Sequence, residues 1–382
     1  MRILVINYEY PPLGAGAGHA TQQWVKQWLA QGHEILLFTG KFPGIGFPDQ
    51  HANLTVLQVE HGRPSPTRAN LFSFLRFLWN GWRKLPRWVK THRPDTCLTV
   101  FLFPCGPLAW WLKRRLNLPY VLALRGGDVP GAEPSLAPLH KILAPVRRAI
   151  YRQASGVFAN SQGLKDLAER HDAKDVHIIP NGVDTRQFFP PTSKSDTTVR
   201  FLFAGRFQSQ KNLAFTLTCM DRVLANLPHA EFELVGEGPL REMLMQQIAQ
   251  LQQAKRIHLL PWQSPEELRK RMSEAHLLIN LSLYEGMPNI VLQAAACGLP
   301  SLVSDVIGNR EVVQPEKTGW CLPLDRERII ETATRLGRDP HTLIQVGRNA
   351  SEWVRSHYSW AQSAQQLYDL LVSSDQVGRM SK

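Results

Sequence analysis

The chain has 382 residues, 43% of them apolar and 20% charged, and a formal net charge of +12. That length accommodates two domains of ordinary size, and that composition belongs to a packed globular protein, which excludes a disordered or low-complexity polypeptide. Five cysteines (Cys97, Cys105, Cys219, Cys297 and Cys321) with no CxxC spacing argue against a disulfide framework or a zinc site and fit a reducing cytoplasm.

The first residues, MRILVINYEYPP, form a short apolar run with one basic residue and no small-residue cleavage site. They read as a buried strand rather than a signal peptide. No run of about 18 uncharged apolar residues occurs later, so no membrane-spanning helix is expected. The strand leads into PPLGAGAGHATQQW, with glycines at 14, 16 and 18, and then into the helix ATQQWVKQWLAQG, which Gly32 stops. Small residues there let backbone N–H groups approach a phosphate or sugar. They suit a purely structural tight turn as well. The spacing is not the dinucleotide fingerprint GxGxxG, and EILLFTG ends in Thr39 and Gly40 rather than in the acid such a site needs.

Further strands follow as EILLFT, NLTVLQV, TCLTVFL, YVLALR, GVFANS and VHIIPNG, alternating with helical patterns. The charge is uneven: residues 1–190 carry 23 Lys/Arg against 12 Asp/Glu, and the remainder 21 against 20. Within 61–115 there are 11 basic residues and one acid, Asp95, among Phe72, Phe74, Phe77, Trp79, Trp82, Trp88, Trp110 and Trp111. Basic residues beside Trp and Phe suit an anionic membrane surface. Core aromatics alternating with a solvated basic face give the same pattern. Nucleic acid is not expected as a partner, because no recognised nucleic-acid motif accompanies the charge.

A polar, proline-bearing stretch from Phe188 to Thr198, FFPPTSKSDTT, reads as a linker. Beyond it the alternation restarts with VRFLFAGR, AEFELVGEG, RIHLLPW, AHLLINLS, LPSLVSD and GWCLPL. The expected fold is α/β, two facing Rossmann-like doubly wound domains with ligands in an interdomain cleft. The first domain is expected over 1–190 and the second over 199–357, with a C-terminal helix at 358–375 packing back on the first.

In FLFAGRFQSQKNL, Arg206 leaves the end of a strand and Lys211 follows five residues later. Two cations in that place suit a diphosphate, which Arg grips through its planar fork and Lys meets as a point charge. Surface solvation is the alternative for either one alone. LVGEGPL is another strand with a Gly–x–Gly turn. In SLYEGMPNIVLQ, Glu285 stands just before a helix that starts near Pro288 and stops at Gly298. A carboxylate is stabilised at a helix N-terminus in any case, so a helix-capping role is its structural alternative.

Together these stretches resemble the retaining glycosyltransferase family 4, which has the GT-B fold. The matching segments are YPPLGAGAG, IIPNGVDTRQFFP, AGRFQSQKN, VGEGPL, SLYEGMPNIVLQAAACGLP and HYSWAQSAQQLYDLL, in the family's order and over nearly the whole chain. The resemblance implies a sugar transferred from a nucleotide diphosphate sugar (UDP or GDP), with retention, to a glycan or lipid-linked acceptor of polysaccharide, lipopolysaccharide or glycolipid synthesis. Arg206 and Lys211 would neutralise the departing diphosphate, and Glu285 would address the transferred sugar. Gly286, Met287, Pro288 and Asn289 would touch sugar and phosphate, with Gly236 and Glu237 also on the donor side. Gly14 and Gly16 would lie near the diphosphate, and Asp128, in LRGGDVPG, beside the reacting sugar. Arg125 is expected on the acceptor side, as is His19, the nearest spare imidazole, for which a surface or structural role is the alternative.

Two positions depart from the family. Gln293 stands where the second acid of its E-x7-E motif binds the ribose hydroxyls, and an amide both donates and accepts where a carboxylate only accepts. Arg125 falls where several members carry His, and Arg is not a base near neutral pH. A front-face mechanism, in which the leaving phosphate receives the acceptor's proton, needs no such base. No Asp-x-Asp occurs, so no metal or cofactor is expected. The protein is expected to be cytoplasmic, peripheral at the inner face of the membrane. A non-catalytic sugar-nucleotide-binding relative and a nucleotide-sugar epimerase of the same architecture are the alternatives.

Overall fold

A computed structural model describes residues 1–382 apart from 15, 67–68, 134–135, 193–197 and 381–382. The centre of the expected linker, 193–197, lies outside the described residues. The chain divides into two compact units, one formed by Met1–Asn181 with Trp360–Lys382 and the other by Gly182–Ser359.

In the first unit, β1 (Arg2–Asn7), β2 (Glu34–Lys41), β3 (Leu54–Glu60), β4 (Thr96–Val100), β5 (Tyr120–Leu124), β6 (Gly156–Ala159) and β7 (Val176–Ile178) form a parallel sheet ordered β3-β2-β1-β4-β5-β6-β7. The helices are α1 (Gly16–Ala30), α2 (Leu71–His92), α3 (Gly106–Leu116), α4 (Ala137–Ile142), α5 (Ala144–Gln153) and α6 (Gln162–His171). Both faces of β1 are buried, which is why it reads as an unbroken apolar run. The two-residue period of the strand sends Leu4 and Ile6 to one face, where they meet Phe77 and Leu85 of α2, Leu108 of α3 and Ile150 of α5. It sends Ile3 and Val5 to the other, where Trp24 and Trp28 of α1 pack.

In the second unit, β8 (Val199–Ala204), β9 (Ala230–Val235), β10 (Ile257–Leu260), β11 (Leu277–Asn280), β12 (Ser301–Ser304) and β13 (Gly319–Leu322) form a parallel sheet ordered β10-β9-β8-β11-β12-β13. Its helices are α7 (Leu213–Ala225), α8 (Arg241–Ala249), α9 (Pro265–Glu274), α10 (Asn289–Ala296), α11 (Asn309–Val312), α12 (Arg326–Gly337) and α13 (Pro340–His357). Phe201 and Phe203 face Leu217 and Met220 of α7, whereas Leu202 and Ala204 face Val291 and Leu292 of α10.

The last helix, α14 (Trp360–Met380), belongs to the first unit and packs on α1. Trp24 Nε1–H donates to Ser363 Oγ at 3.0 Å, and Trp28 Nε1–H to the Ala364 carbonyl at 3.1 Å. Both indoles are fully buried, so each needs a partner for its only polar atom. A helix from the far end of the sequence provides both.

Candidate active site

In the second sheet the strand order reverses between β8 and β11, which are hydrogen-bonded neighbours. Loops leaving the carboxyl ends of such a pair diverge and leave a crevice for a ligand. These two loops carry Arg206 and Lys211 on one side and Glu285 on the other. Residues 74 positions apart, Lys211 and Glu285, thus meet because β8 and β11 lie side by side.

Lys211 closes a single 3-10 turn (Ser209–Lys211), and its Nζ reaches Glu285 Oε1 at 2.5 Å. The side chains are 13% and 7% exposed, so this pair is shielded from water and from salt. Ser282 Oγ donates to the same oxygen at 2.7 Å, and Asn280 Nδ2 approaches it at 3.5 Å. Among the described residues Glu285 Oε2 takes only a 3.4 Å contact, from Gln210 Nε2, whose amide also donates to the Tyr284 carbonyl at 2.7 Å. One oxygen of Glu285 is therefore anchored and the other keeps lone pairs for a hydroxyl. Beneath the loop, Ser304 Oγ donates to the Ser282 carbonyl at 2.5 Å, and Asn309 Nδ2 to the Ser304 carbonyl at 2.9 Å.

Gly286 and the buried Met287 and Pro288 follow, and Asn289 opens α10. Pro288 occupies the N-cap position without a side-chain acceptor. Gln293 lies one turn into α10 on the same helix face as Asn289. Arg206 is half-buried directly after Gly205. Its loop is tied to the turn after β9 by Gly205 N–H donating to the Val235 carbonyl (3.0 Å) and Phe207 N–H to the Glu237 carbonyl (2.8 Å). A Cβ on Gly236 would fall 1.9 Å from the Gly205 carbonyl oxygen, so that glycine is required by close backbone approach. Glu237 is exposed, with Oε1 at 3.2 Å from Arg241 Nη1.

In the first unit the order reverses between β1 and β4. A Cβ on Gly14 would fall 2.6 Å from Glu9 Cβ, and one on Gly18 would fall 1.9 Å from the Glu9 carbonyl oxygen. The Gly14 N–H donates to the Pro66 carbonyl at 2.9 Å. Two of the three glycines thus have a steric cause in the turn itself, and Gly16 stands exposed at the start of α1. Asp128 is buried. Its Oδ2 accepts from Leu102 N–H at 2.9 Å, and its Oδ1 from Arg125 and Gly126 N–H, both at 2.9 Å. Burial raises its pKa and the three amides oppose that. Asp128 thus ties the loops after β4 and β5 together.

Arg125 Nη2 donates to Asn181 Oδ1 at 2.9 Å, and its guanidinium lies over the Trp24 ring, 5.4 Å from the centroid. Nε and Nη1 are buried with no hydrogen-bond partner among the described residues. Burial lowers its pKa to about 10, against the attraction of Asp128, so it stays cationic at neutral pH. His19, on α1, meets the Trp360 ring edge-on at 5.9 Å. Among the described residues no group of three His, Cys, Asp or Glu is placed to hold a metal ion.

Sequence reasoning did not find Asn280, Ser282, Gln210 or Gly308. Gly308 has φ +84°, and a Cβ there would fall 2.2 Å from the Gly286 carbonyl oxygen. Its signal was a lone glycine between the strand of LPSLVSD and a short helix, which by itself does not point to the distant loop it backs.

Residues 14–187 match the family described as Glycosyltransferase Family 4, and residues 184–353 the family described as Glycosyl transferases group 1. A UDP-Gal:alpha-D-GlcNAc-diphosphoundecaprenol alpha-1,3-galactosyltransferase of Escherichia coli is 26% identical over 53% of this chain, a match that spans 55% of that relative's length. Among solved structures, sucrose-phosphate synthase from Thermosynechococcus elongatus superposes with TM-score 0.84 at 21% identity, covering 97% of this chain and 98% of that one. Anabaena HepE in complex with UDP-glucose does so with TM-score 0.73 at 17% identity, covering 98% and 100%. These likenesses show the fold, the GT-B class with its two parallel-sheet α/β domains. With both matches together spanning residues 14–353, the chain belongs to glycosyltransferase family 4 and is an enzyme of the glycosyltransferase class.

Proposed function

We propose that this enzyme moves a sugar from a UDP- or GDP-linked donor to a glycan or lipid-linked acceptor, with retention of anomeric configuration, in polysaccharide, lipopolysaccharide or glycolipid synthesis. The observation that carries this reading is the shielded Lys211–Glu285 pair at the strand-order reversal of the second sheet. It joins a cation for the departing diphosphate to an anchored carboxylate for the sugar. The UDP-glucose held by the Anabaena neighbour supports such a donor, and the name of the Escherichia coli relative supports a lipid-linked acceptor. A lipid-linked acceptor lies at a membrane surface, and the protein would work there from the cytoplasmic side.

In this mechanism the bond from the sugar's anomeric carbon to the diphosphate oxygen breaks while the acceptor oxygen bonds to the same face of that carbon. The acceptor's proton passes to the departing phosphate oxygen, so no protein base is needed. The diphosphate gains charge as it leaves, so Arg206, Lys211 and the first amides of α10 act mainly in the transition state. These groups supply the positive charge that a metal would otherwise provide. Glu285 Oε2 accepts a sugar hydroxyl, Gln293 meets the ribose, and Gly286, Met287 and Asn289 line the sugar and phosphate. In the first unit Arg125 binds an anionic part of the acceptor with its uncommitted donors. Asp128 acts by holding the Arg125 loop.

The test is incubation with UDP- and GDP-sugars plus acceptor extracts, with nucleoside diphosphate release as the readout. Release is expected for one donor, and Glu285→Ala is expected to lower it by at least about a hundredfold. Nucleotide binding without consumption of any donor would leave a binding protein instead. Free conversion of a UDP-sugar to its epimer would make the enzyme an epimerase.

A further inference from the structure

Helix α2 carries three distinct stripes along its 22 residues. Ser73, Phe77, Gly81, Leu85 and Val89 are buried against the sheet and α3. Leu71, Phe72, Leu75, Trp79 and Trp82 are 43–65% exposed. At about 100° per residue these five fall within a single arc of about 100°, beside the buried stripe, whose edge at Val89 meets that of Leu71. Arg76, Arg83 and Arg87 are exposed along the border of that arc, and Lys90 continues the line. No Asp or Glu occurs between Glu60 and Asp95. A capping box of Asn70 and Ser73 fixes the start of the helix, so the face is preformed.

We propose that this exposed face of α2 docks the enzyme on an anionic lipid bilayer. Leucine, phenylalanine and tryptophan side chains enter the boundary of headgroups and acyl chains, and the arginines beside them meet lipid phosphates. The charge selects this occupant. A second copy of the chain would bring arginine rows against each other, and nucleic acid has no use for Leu71 and Leu75. Among the described residues no helix is long and apolar enough to cross a membrane, so α2 lies on the bilayer and does not span it. The surface rests on α2 alone, and its test reads no sugar transfer, so it stands or falls apart from the donor chemistry.

The experiment is co-sedimentation of the full chain with vesicles of phosphatidylcholine and phosphatidylglycerol, against phosphatidylcholine alone, at low and high salt. Binding to the anionic vesicles is expected at low salt and should weaken at high salt. Arg83→Gln should reduce it about fivefold, and Phe72→Ser with Trp79→Ser at least about tenfold. All three positions are exposed, and an unchanged melting temperature checks that the variants fold. Failure to sediment with anionic vesicles at low salt overturns the proposal. It is equally overturned if the serine variant binds like the parent, or if the face serves a dimer or a DNA duplex that the serine variant loses in place of vesicles.

Discussion

At the scale of single residues, the two oxygens of Glu285 have different surroundings. Oε1 is saturated by Lys211 and Ser282, which fixes the direction of Oε2. Arg206, Lys211 and Glu285 were legible because each follows a strand at motif spacing. Their supports were not, because a side-chain hydrogen bond depends on how two loops fall together. Gln293 has the clearest prediction. If it meets the ribose, Gln293→Glu should keep kcat and lower the donor KM by up to about tenfold, from about 1–2 kcal/mol of charge-assisted hydrogen bonding. Steady-state kinetics over donor concentration reads this. Loss of activity would mean that the amide donates a bond a carboxylate cannot make. Arg125 shows the opposite case, since the sequence could place it but could not reveal its stacking on Trp24.

At the scale of elements, the basic and aromatic stretch 61–115 resolves into parts. Phe77 enters the core, Phe74, Trp88, Trp110 and Trp111 pack beside it, and Phe72, Trp79 and Trp82 stay outside. Composition alone did not separate them, because the facing of a helix is set by what it packs against. His61, just past β3, illustrates the cost of burial. Its ring sits against Gly40, where a Cβ would fall 2.2 Å from Cε1. Burial, helped by Arg63 and Arg76, lowers its pKa from 6.5 to about 4. The unfolded chain takes up that proton first, so stability is present above 6.5 and lost as pH falls towards 4. The full loss is up to about 3 kcal/mol. Denaturant unfolding of His61→Gln across that window should show a smaller loss than the parent. The loop of Glu285 gives a second prediction. Gly308→Ala places a methyl against the Gly286 carbonyl at a left-handed φ, at a cost of about 1–3 kcal/mol. A tenfold or greater fall in kcat is expected, with the loop displaced rather than the unit unfolded, and kinetics beside a thermal melt separates the two.

At the scale of the molecule, the first unit is completed by a helix that follows the whole second unit in sequence. Leu367 of α14 is fully buried with Trp24, Trp28 and the strands of the first sheet. Leu367→Ala should therefore destabilise that unit by about 2–5 kcal/mol. Fluorescence of its buried tryptophans should report the earlier unfolding, while nucleotide binding by the second unit persists at temperatures where the first has opened.

Among the described residues, the strands, their alternation with helices and the places of Arg206, Lys211 and Glu285 just past strand ends were determined by sequence alone. Apolar runs of strand length, glycine stops and motif spacing are local signals, and local signals survive without a fold. Tertiary structure decided which glycines serve packing and which residues hold Glu285. It also revealed that Asp128 ties two loops together through three amides, and it left one face of α2 open. Each of these depends on which distant atoms occupy the neighbouring space, and only the assembled sheets and helices bring those atoms together.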